Sequence, residues 1–382
     1  MKYKINILST SRSDYGILYP LIKKIQKKKN FNTKVVISGS HLYSEFGNTI
    51  DEIKSDKIKN IKIIGSFKKK SKLNDGHIFS QTFNRFNSYF KKEKPHLLIL
   101  LGDRFETMSV ALAAKFNSIA IAHLHGGEKT LGSYDDTFRH CITKLSNLHF
   151  VSKKRYKQRV IQLGENPKNI FNLGSLSIER LFLTKFRSKK FLEKKLEIKF
   201  KKKNYLITLH PETENSNFFF KKVDIFFKFI DSLKESSIFI TSPSFDKGSE
   251  YILKKIQNSL RKKNFFFIKN AGYENYVSLI KTVDCVIGNS SSGYYEVPAL
   301  NNFTLDVGER QHGRELEKTI FRSPFDLKKL NSTFQKINKL NRVKKSQKKN
   351  SKKPISTKMI EKILYFLKNN ETKPKNFFDL KI

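Results

Sequence analysis

The chain has 382 residues, 38% hydrophobic and 13% aromatic, which excludes a disordered or fibrous protein and allows two core-bearing domains. Its formal charge of +42 raises nucleic acid or an anionic surface as partners, yet the lysines lie in short scattered runs with no zinc-ligand spacing, RRM signature or heptad-bearing basic helix. Solvated helix faces account for that charge, and neither a nucleic-acid nor a membrane partner is expected.

Two cysteines far apart, Cys141 and Cys285, supply neither a disulfide framework nor a metal cluster. The first residues, MKYKINILSTSRSDYG, lack a signal-peptide pattern, and the apolar runs fall well short of the roughly 20 residues of a membrane span. A soluble, cytoplasmic protein is the expectation.

In chain order, strand and helix patterns alternate: strand Lys4–Ser9, helix Ile17–Lys29, strand Lys34–Ser38, a helix near Tyr43–Ile53, strand Ile61–Ile64 and helix Ile78–Lys92. The first strand runs into STSRSDYG, where Arg12 and the free N–H groups of a helix start suit an anion, while Ser13 or Asp14 equally suits a plain N-cap. Leu97–Leu101 is apolar without alternation and therefore reads as a strand buried on both faces of a parallel sheet. It ends in GDRFE, and after a helix over Phe105–Phe116 a second apolar strand, Ile119–Ala122, runs into HLHGGE. Two strand ends thus bring Asp103, Arg104, Glu106, His123, His125 and Glu128 to the sheet edge where ligands of open parallel sheets bind. Asp103 also suits the cap of the following helix, a role that leaves HLHGGE unexplained. Strand Leu148–Val151 completes a doubly wound domain over residues 1–175, closed by FNLGSL.

Residues 177–203, dense in lysine and weakly periodic, read as a linker. Alternation then restarts: strand Tyr205–Leu209, helix Asn217–Leu233, strand Ser237–Thr241, helix Ser249–Arg261, strand Phe265–Ile268, helix Glu274–Lys281, strand Val283–Ile287 and strand Phe303–Val307. A basic connector, Lys344–Lys353, and a closing amphipathic helix, Ile360–Leu367, end a second domain over residues 176–382. Its strand ends carry HPET with His210, then GNSSSGYYE, where small residues at a helix start let a diphosphate approach backbone N–H groups. Glu296 one turn on suits ribose hydroxyls, and Arg310 in GERQHGRE suits phosphate. Neither GxGxxG nor GxxxxGK[ST] occurs, so a dinucleotide fingerprint and a P-loop are both unsupported.

SRSDYG, GSHL, GDRFE, HLHGGE, DDTFRHCITKLSNLHF, LHPET, GNSSSGYYEV and GERQHGR stand in an order and spacing that resembles the hydrolysing UDP-N-acetylglucosamine 2-epimerases of sialic acid biosynthesis, from about Lys4 to Arg314. The related enzymes of legionaminic acid synthesis, which act on a UDP-linked 2,4-diacetamido-2,4,6-trideoxy sugar, look alike. The resemblance implies an α/β fold of GT-B type, two Rossmann-like doubly wound domains facing a central cleft. It also implies a UDP-sugar substrate, no nicotinamide or other cofactor, no essential catalytic metal, and a homo-oligomer, dimer or tetramer. The expected reaction gives UDP and N-acetylmannosamine, with the diacetamido donor as the alternative and a non-hydrolysing epimerase or a GT-B glycosyltransferase behind it.

Stereochemistry adds a requirement. In the α-linked gluco donor, UDP and the carbon-2 hydrogen are both axial on opposite faces, so anti elimination to a glycal is direct; the manno product then needs a proton delivered from the other face. Two positioned groups are required, which suits Asp103 and Glu128. By similarity His210, grouped with the catalytic residues, and Arg12 contact the nucleotide or its diphosphate; Ser290, Ser291, Ser292 and Gly293 hold phosphate, Glu296 the ribose and Arg310 the charge. His41, Arg104, Asp135, Arg139 and His140 match positions at the substrate. Ser244 stands where relatives commonly carry Asn, which puts a nucleotide contact there in doubt, and the linker and the tail beyond Arg314 match poorly.

Overall fold

The computed structural model describes residues 2–42, 49–65, 74–212, 218–244, 246–340, 353–370 and 375–380. The chain divides into two compact units: Met1–Glu128, Asp135–Arg180 and Ser351–Ile382 form the first, Lys129–Tyr134 and Leu181–Asn350 the second. The first contains β1 (Tyr3–Ser9), α1 (Arg12–Ile25), β2 (Phe31–Ile37), α2 (Thr49–Ser55), β3 (Ile61–Ile63), α3 (Asp75–Glu93), β4 (Leu97–Leu101), α4 (Phe105–Phe116), β5 (Ala120–Leu124), α5 (Asp135–Leu145), β6 (Leu148–Val151), α6 (Lys154–Gln162) and β7 (Ile170–Asn172). The chain leaves it within α7 (Leu176–Leu183).

The sheet order is β3-β2-β1-β4-β5-β6-β7, with every pairing parallel. β4 shows why its sequence does not alternate. Leu97, Ile99 and Leu101 pack with α1 residues on one face, while Leu98 and Leu100 pack on the other with Phe86 and Phe90 of α3. Ala111, Ala113 and Ala114 of α4 join that second face, their small side chains letting the helix lie close to the strands.

The second unit contains α8 (Lys189–Leu196), β8 (Lys203–Thr208), α9 (Phe219–Asp231), β9 (Ser236–Thr241), α10 (Ser249–Ser259), β10 (Phe265–Ile268), α11 (Tyr273–Thr282), β11 (Cys285–Gly288), α12 (Glu296–Ala299), β12 (Phe303–Val307), β13 (Ile320–Ser323) and α13 (Leu327–Asn338). Its parallel sheet has the order β10-β9-β8-β11-β12-β13. Both sheets are therefore Rossmann-like, growing outward from the first strand and then reversing. At such a reversal neighbouring crossovers leave on opposite faces, and a crevice opens beyond the carboxyl ends. In the first unit the reversal lies between β1 and β4, so Ser9–Arg12 emerges beside Gly102–Arg104. In the second it lies between β8 and β11, so His210 emerges beside Gly288–Ser291.

Several elements differ from the sequence expectation. Residues 177–203 are not a bare linker: they hold most of α7 and all of α8, whose Ser188 accepts the Phe191 N–H at 3.3 Å as an N-cap and whose Leu192 is wholly buried. The lysines hid that helix because one narrow apolar stripe faces inward. The closing helix, α14 (Ile355–Asn370), was expected in the second domain but belongs to the first unit, where Met359, Ile360, Ile363, Phe366 and Leu367 enter the α1 side of the core. Glu179 fixes its start, accepting from Ser356 N at 2.7 Å and Ser356 Oγ at 2.6 Å. Of the helix expected near Tyr43–Ile53, residues 43–48 lie outside the described residues, as does the connector Lys344–Lys353 apart from Lys353. Among the described residues no helix is long and apolar enough to cross a membrane.

Candidate functional site

At the end of β1, Ser11 rather than Ser13 or Asp14 caps α1, its Oγ accepting the Asp14 N–H at 3.2 Å. Asp14 reaches back to Thr10, accepting from N at 3.1 Å and Oγ1 at 2.6 Å. Burial pushes the Asp14 carboxyl above its ordinary range, opposed by those bonds and by the Arg104 charge. Arg12 is exposed in the first turn of the helix. His41 sits in a 3-10 turn, Gly39–Leu42, with Nε2 2.8 Å from Ser9 Oγ. Burial, with Arg104 and Arg12 adding to it, pushes this imidazole down to about 3.

Gly102, at φ +79°, turns the chain out of β4 and presents Asp103. Asp103 does not cap α4; Arg104 holds that position without a side-chain cap bond, and Asp103 Oδ2 accepts from Arg139 Nη2. Arg139 rises from α5, is 2% exposed, and places Nη1 3.3 Å from the His125 carbonyl and 3.9 Å from Glu128 Oε2. One buried guanidinium thus joins the two carboxylates that the sequence pairs. Arg104 grips Glu106 through two bonds of 3.1 Å.

HLHGGE divides its work. His123 is fully buried, with Nε2 2.7 Å from Gly102 O and Nδ1 3.1 Å from Thr143 Oγ1. A carbonyl only accepts, so Nε2 carries the proton. Burial pushes the ring down to about 3, and His123 is a neutral strut between the Gly102 turn and α5, not the edge group that the sequence suggested. His125 holds a left-handed φ of +65°, with Nδ1 2.8 Å from Glu128 Oε1 and Nε2 3.2 Å from Ser175 Oγ. Glu128 is fully buried, and its Oε1 also accepts from Ser152 Oγ at 3.0 Å. Gly127 must be glycine: at φ +74° an added Cβ would stand 2.4 Å from Tyr156 O. Asp135 opens α5, and His140, one turn further, pairs with Asp136 at 3.6 Å.

These buried imidazoles make acid stability a prediction. A histidine whose folded pKa is depressed is stabilising above its unfolded value of about 6.5 and loses that contribution as pH falls. Between pH 7 and 5, His41 and His123 should each withdraw about 2 kcal/mol. Urea midpoints across that range, with His41→Asn as a comparison that loses less, check it.

In the second unit, Leu131 of the Lys129–Tyr134 segment donates its N–H to His312 O at 3.2 Å, and Gly132 leaves no room for a Cβ, which would lie 2.7 Å from the Arg310 backbone. His210 and Asn289 clasp two strand ends: His210 N–H donates to Asn289 Oδ1 at 2.7 Å, and Asn289 Nδ2 donates to His210 O at 2.9 Å. Ser244 N–H donates to His210 Nδ1 at 2.7 Å, so the neutral ring carries its proton on Nε2. Burial, reinforced by Arg310, pushes the ring down to about 3. Such an imidazole donates a hydrogen bond but does not accept a proton at Nε2, which suits nucleotide binding better than proton transfer. The Ser244 bond comes from its backbone, so having Ser there in place of Asn leaves this contact intact.

GNSSSG does not open the helix that the sequence suggested. It forms one 3-10 turn, Ser291–Tyr294, followed by the four-residue α12, so little macrodipole is available there and the groups the turn offers are N–H groups and hydroxyls. Ser290 Oγ accepts from Ser292 N at 3.4 Å, and Tyr276 OH lies 2.7 Å from Ser292 Oγ. Gly288 has φ +135°, and a Cβ there would sit 2.0 Å from Thr208 O. At Gly293 a Cβ would sit 2.7 Å from Thr304 Cγ2. Glu296, 8% exposed, opens α12.

Arg310 Nη1 donates to Asn289 O at 3.3 Å, and Gln311 Nε2 to the same oxygen at 2.9 Å. Asn289 therefore gathers His210, the serine turn and Arg310 onto one edge. Glu212 of HPET went unnoticed in the sequence, yet its Oε1 accepts from Glu309 N at 2.6 Å and Arg310 N at 3.1 Å while Lys222 holds Oε2 at 3.0 Å. No local pattern marks that role, because the two backbone donors it holds lie nearly a hundred positions away.

A family model described as UDP-N-acetylglucosamine 2-epimerase matches residues 23–366. The chain is 37% identical over 338 residues, 88% of each chain, to the GDP/UDP-N,N'-diacetylbacillosamine 2-epimerase (hydrolyzing) of Campylobacter jejuni subsp. jejuni serotype O:2. It is 36% identical over 313 residues, 81% of this chain and 80% of the relative, to the polysialic acid biosynthesis protein P7 of Escherichia coli. Among solved structures, the UDP-GlcNAc 2-epimerase of Neisseria meningitidis bound to UDP-GlcNAc matches with a TM-score of 0.77 at 19% identity, covering 95% of this chain and 100% of that one, a likeness of fold.

Proposed function

Because the chain belongs to the UDP-N-acetylglucosamine 2-epimerase family, we propose that it is a hydrolysing 2-epimerase, releasing UDP and a free manno-configured 2-acetamido sugar. The observation that supports the reading is the buried Arg139 guanidinium, which joins the carboxylate-bearing GDRFE and HLHGGE loops and so allows one proton-handling group from each. One removes the carbon-2 hydrogen as UDP leaves carbon 1 from the opposite face. The other returns a proton to carbon 2 of the glycal while water adds at carbon 1, so one water is consumed per UDP released.

Arg12, His41, Arg104, Asp135, Arg139 and His140 are assigned to the substrate from the first unit. In the second, the hydroxyls and N–H groups of Ser290–Gly293, the His210 Nε2–H and Arg310 are assigned to the diphosphate, and Glu296 to the ribose. UDP-N-acetylglucosamine came first from sequence alone. Identity of 37% across 88% of each chain with a relative named for N,N'-diacetylbacillosamine moves the UDP-linked 2,4-diacetamido-2,4,6-trideoxy donor ahead of it.

Chromatography of products from the two donors in parallel tests the proposal. Expected are UDP and free manno sugar, faster from the diacetamido donor. A UDP-linked manno sugar would make the enzyme non-hydrolysing, sugar transferred to an added acceptor would make it a glycosyltransferase, and either result overturns the proposal. Arg310→Ala should raise the UDP dissociation constant about 10- to 100-fold in titration calorimetry, as for loss of a charge-assisted phosphate contact. An unchanged constant would remove Arg310 from the site.

A further inference from the structure

The HLHGGE loop holds an arrangement that two carboxylates alone leave unused. Glu128 is fully buried, and its Oε1 is taken by Ser152 Oγ at 3.0 Å and His125 Nδ1 at 2.8 Å. His125, at 8% exposure, is the member of the pair nearer the surface. Beyond its Nε2 stand Ser175 Oγ at 3.2 Å and then Ser177, whose Oγ is 3.0 Å and whose N–H 3.2 Å from Ser175 Oγ.

Proton positions follow from what each group can do. An ionised Glu128 only accepts, so Nδ1 carries the ring proton and the Nε2 lone pair faces the Ser175 hydroxyl. The left-handed backbone at His125 is strained for a residue with a Cβ. That conformation is held by the ring's two partners and by the His125 N–H bond to Phe150 O at 2.9 Å. Among the described residues, other charged or titratable groups near the ring include Arg139, 3.3 Å from the His125 carbonyl, with Asp103 beyond it, neutral His123, and Arg159, which donates to the Gly127 carbonyl of the same loop.

We propose that His125 is the imidazole acid/base of this site and that Glu128 is its orienter, not the group that meets the sugar; this rests on the hydrolysing-epimerase reading. Ser175 yields Nε2 by turning its O–H to Ser177 Oγ. Nε2 then takes a proton from carbon 2, with the C–H electron pair staying on the sugar, or gives one to carbon 2 in the return direction. Either way the imidazolium is held through Nδ1–H by the Glu128 carboxylate.

His125→Asn is the informative variant. Asn tolerates left-handed backbone, and its amide reaches the place of Nδ1 to donate to Glu128, so only the titrating Nε2 is lost. UDP affinity and KM should stay within about threefold while kcat falls about 100-fold or more, and the pH profile of kcat should lose the limb that the wild type shows. Wild-type kcat and an unchanged pH profile in the variant would overturn the proposal and leave the epimerase reading standing. A wild type that releases UDP from neither donor would overturn both. Should His125→Asn prevent folding by circular dichroism, Ser175→Ala decides: kcat should fall about tenfold with a shifted limb and unchanged KM, and an unshifted profile refutes the assignment.

Discussion

Asp103→Asn should slow turnover about 100-fold or more while leaving the UDP dissociation constant within about threefold, because the proposed chemistry gives this carboxylate a proton-handling role and no contact with the nucleotide. The substitution keeps shape and a carbonyl oxygen toward Arg139, so a loss reports on charge and basicity, not on packing. What accumulates identifies the step. If Asp103 starts the elimination, UDP release stops altogether; if Asp103 only returns the proton, UDP is still released and the unsaturated glycal appears beside it. Wild-type turnover in the variant would remove Asp103 from catalysis.

Arg139→Met should destabilise the protein by about 3–5 kcal/mol, the range for breaking a buried ion pair while leaving its partner charged. Arg139 is 2% exposed and Glu128 wholly buried, so no water replaces the guanidinium for Glu128, and the His125 carbonyl loses a donor as well. Urea unfolding measures it. Adding Asp103→Asn should recover part of the loss, since one of the stranded charges is then gone. A cost under about 1 kcal/mol for Arg139→Met would mean that the carboxylates are satisfied without it.

Much of this was legible in sequence because burial on both faces writes an uninterrupted apolar run, as in Leu97–Leu101, and because strand ends of a parallel sheet collect polar loops, as at GDRFE and GNSSSG. Periodicity shows that an amphipathic segment covers a core without showing which one. Ile360–Leu367 therefore read as a closing helix of the second domain although it packs in the first unit. Helix α13 escaped notice among its lysines although Leu330, Phe334 and Ile337 repeat at helical spacing. At the site, residue types were readable and pairings were not. Nothing local distinguishes His123, a strut with both nitrogens bonded, from His125, two positions on and facing a carboxylate. Those fates are set by Gly102, Thr143 and Ser175, which reach them only through the fold.

The most direct test of hydrolytic epimerisation through a glycal is turnover in deuterium oxide, with carbon 2 of the released sugar read by proton NMR. One deuteron at carbon 2 of essentially every manno product molecule, with an equal amount of free UDP, is the result that elimination and reprotonation predict. A manno product that keeps its original carbon-2 hydrogen at full occupancy would contradict it.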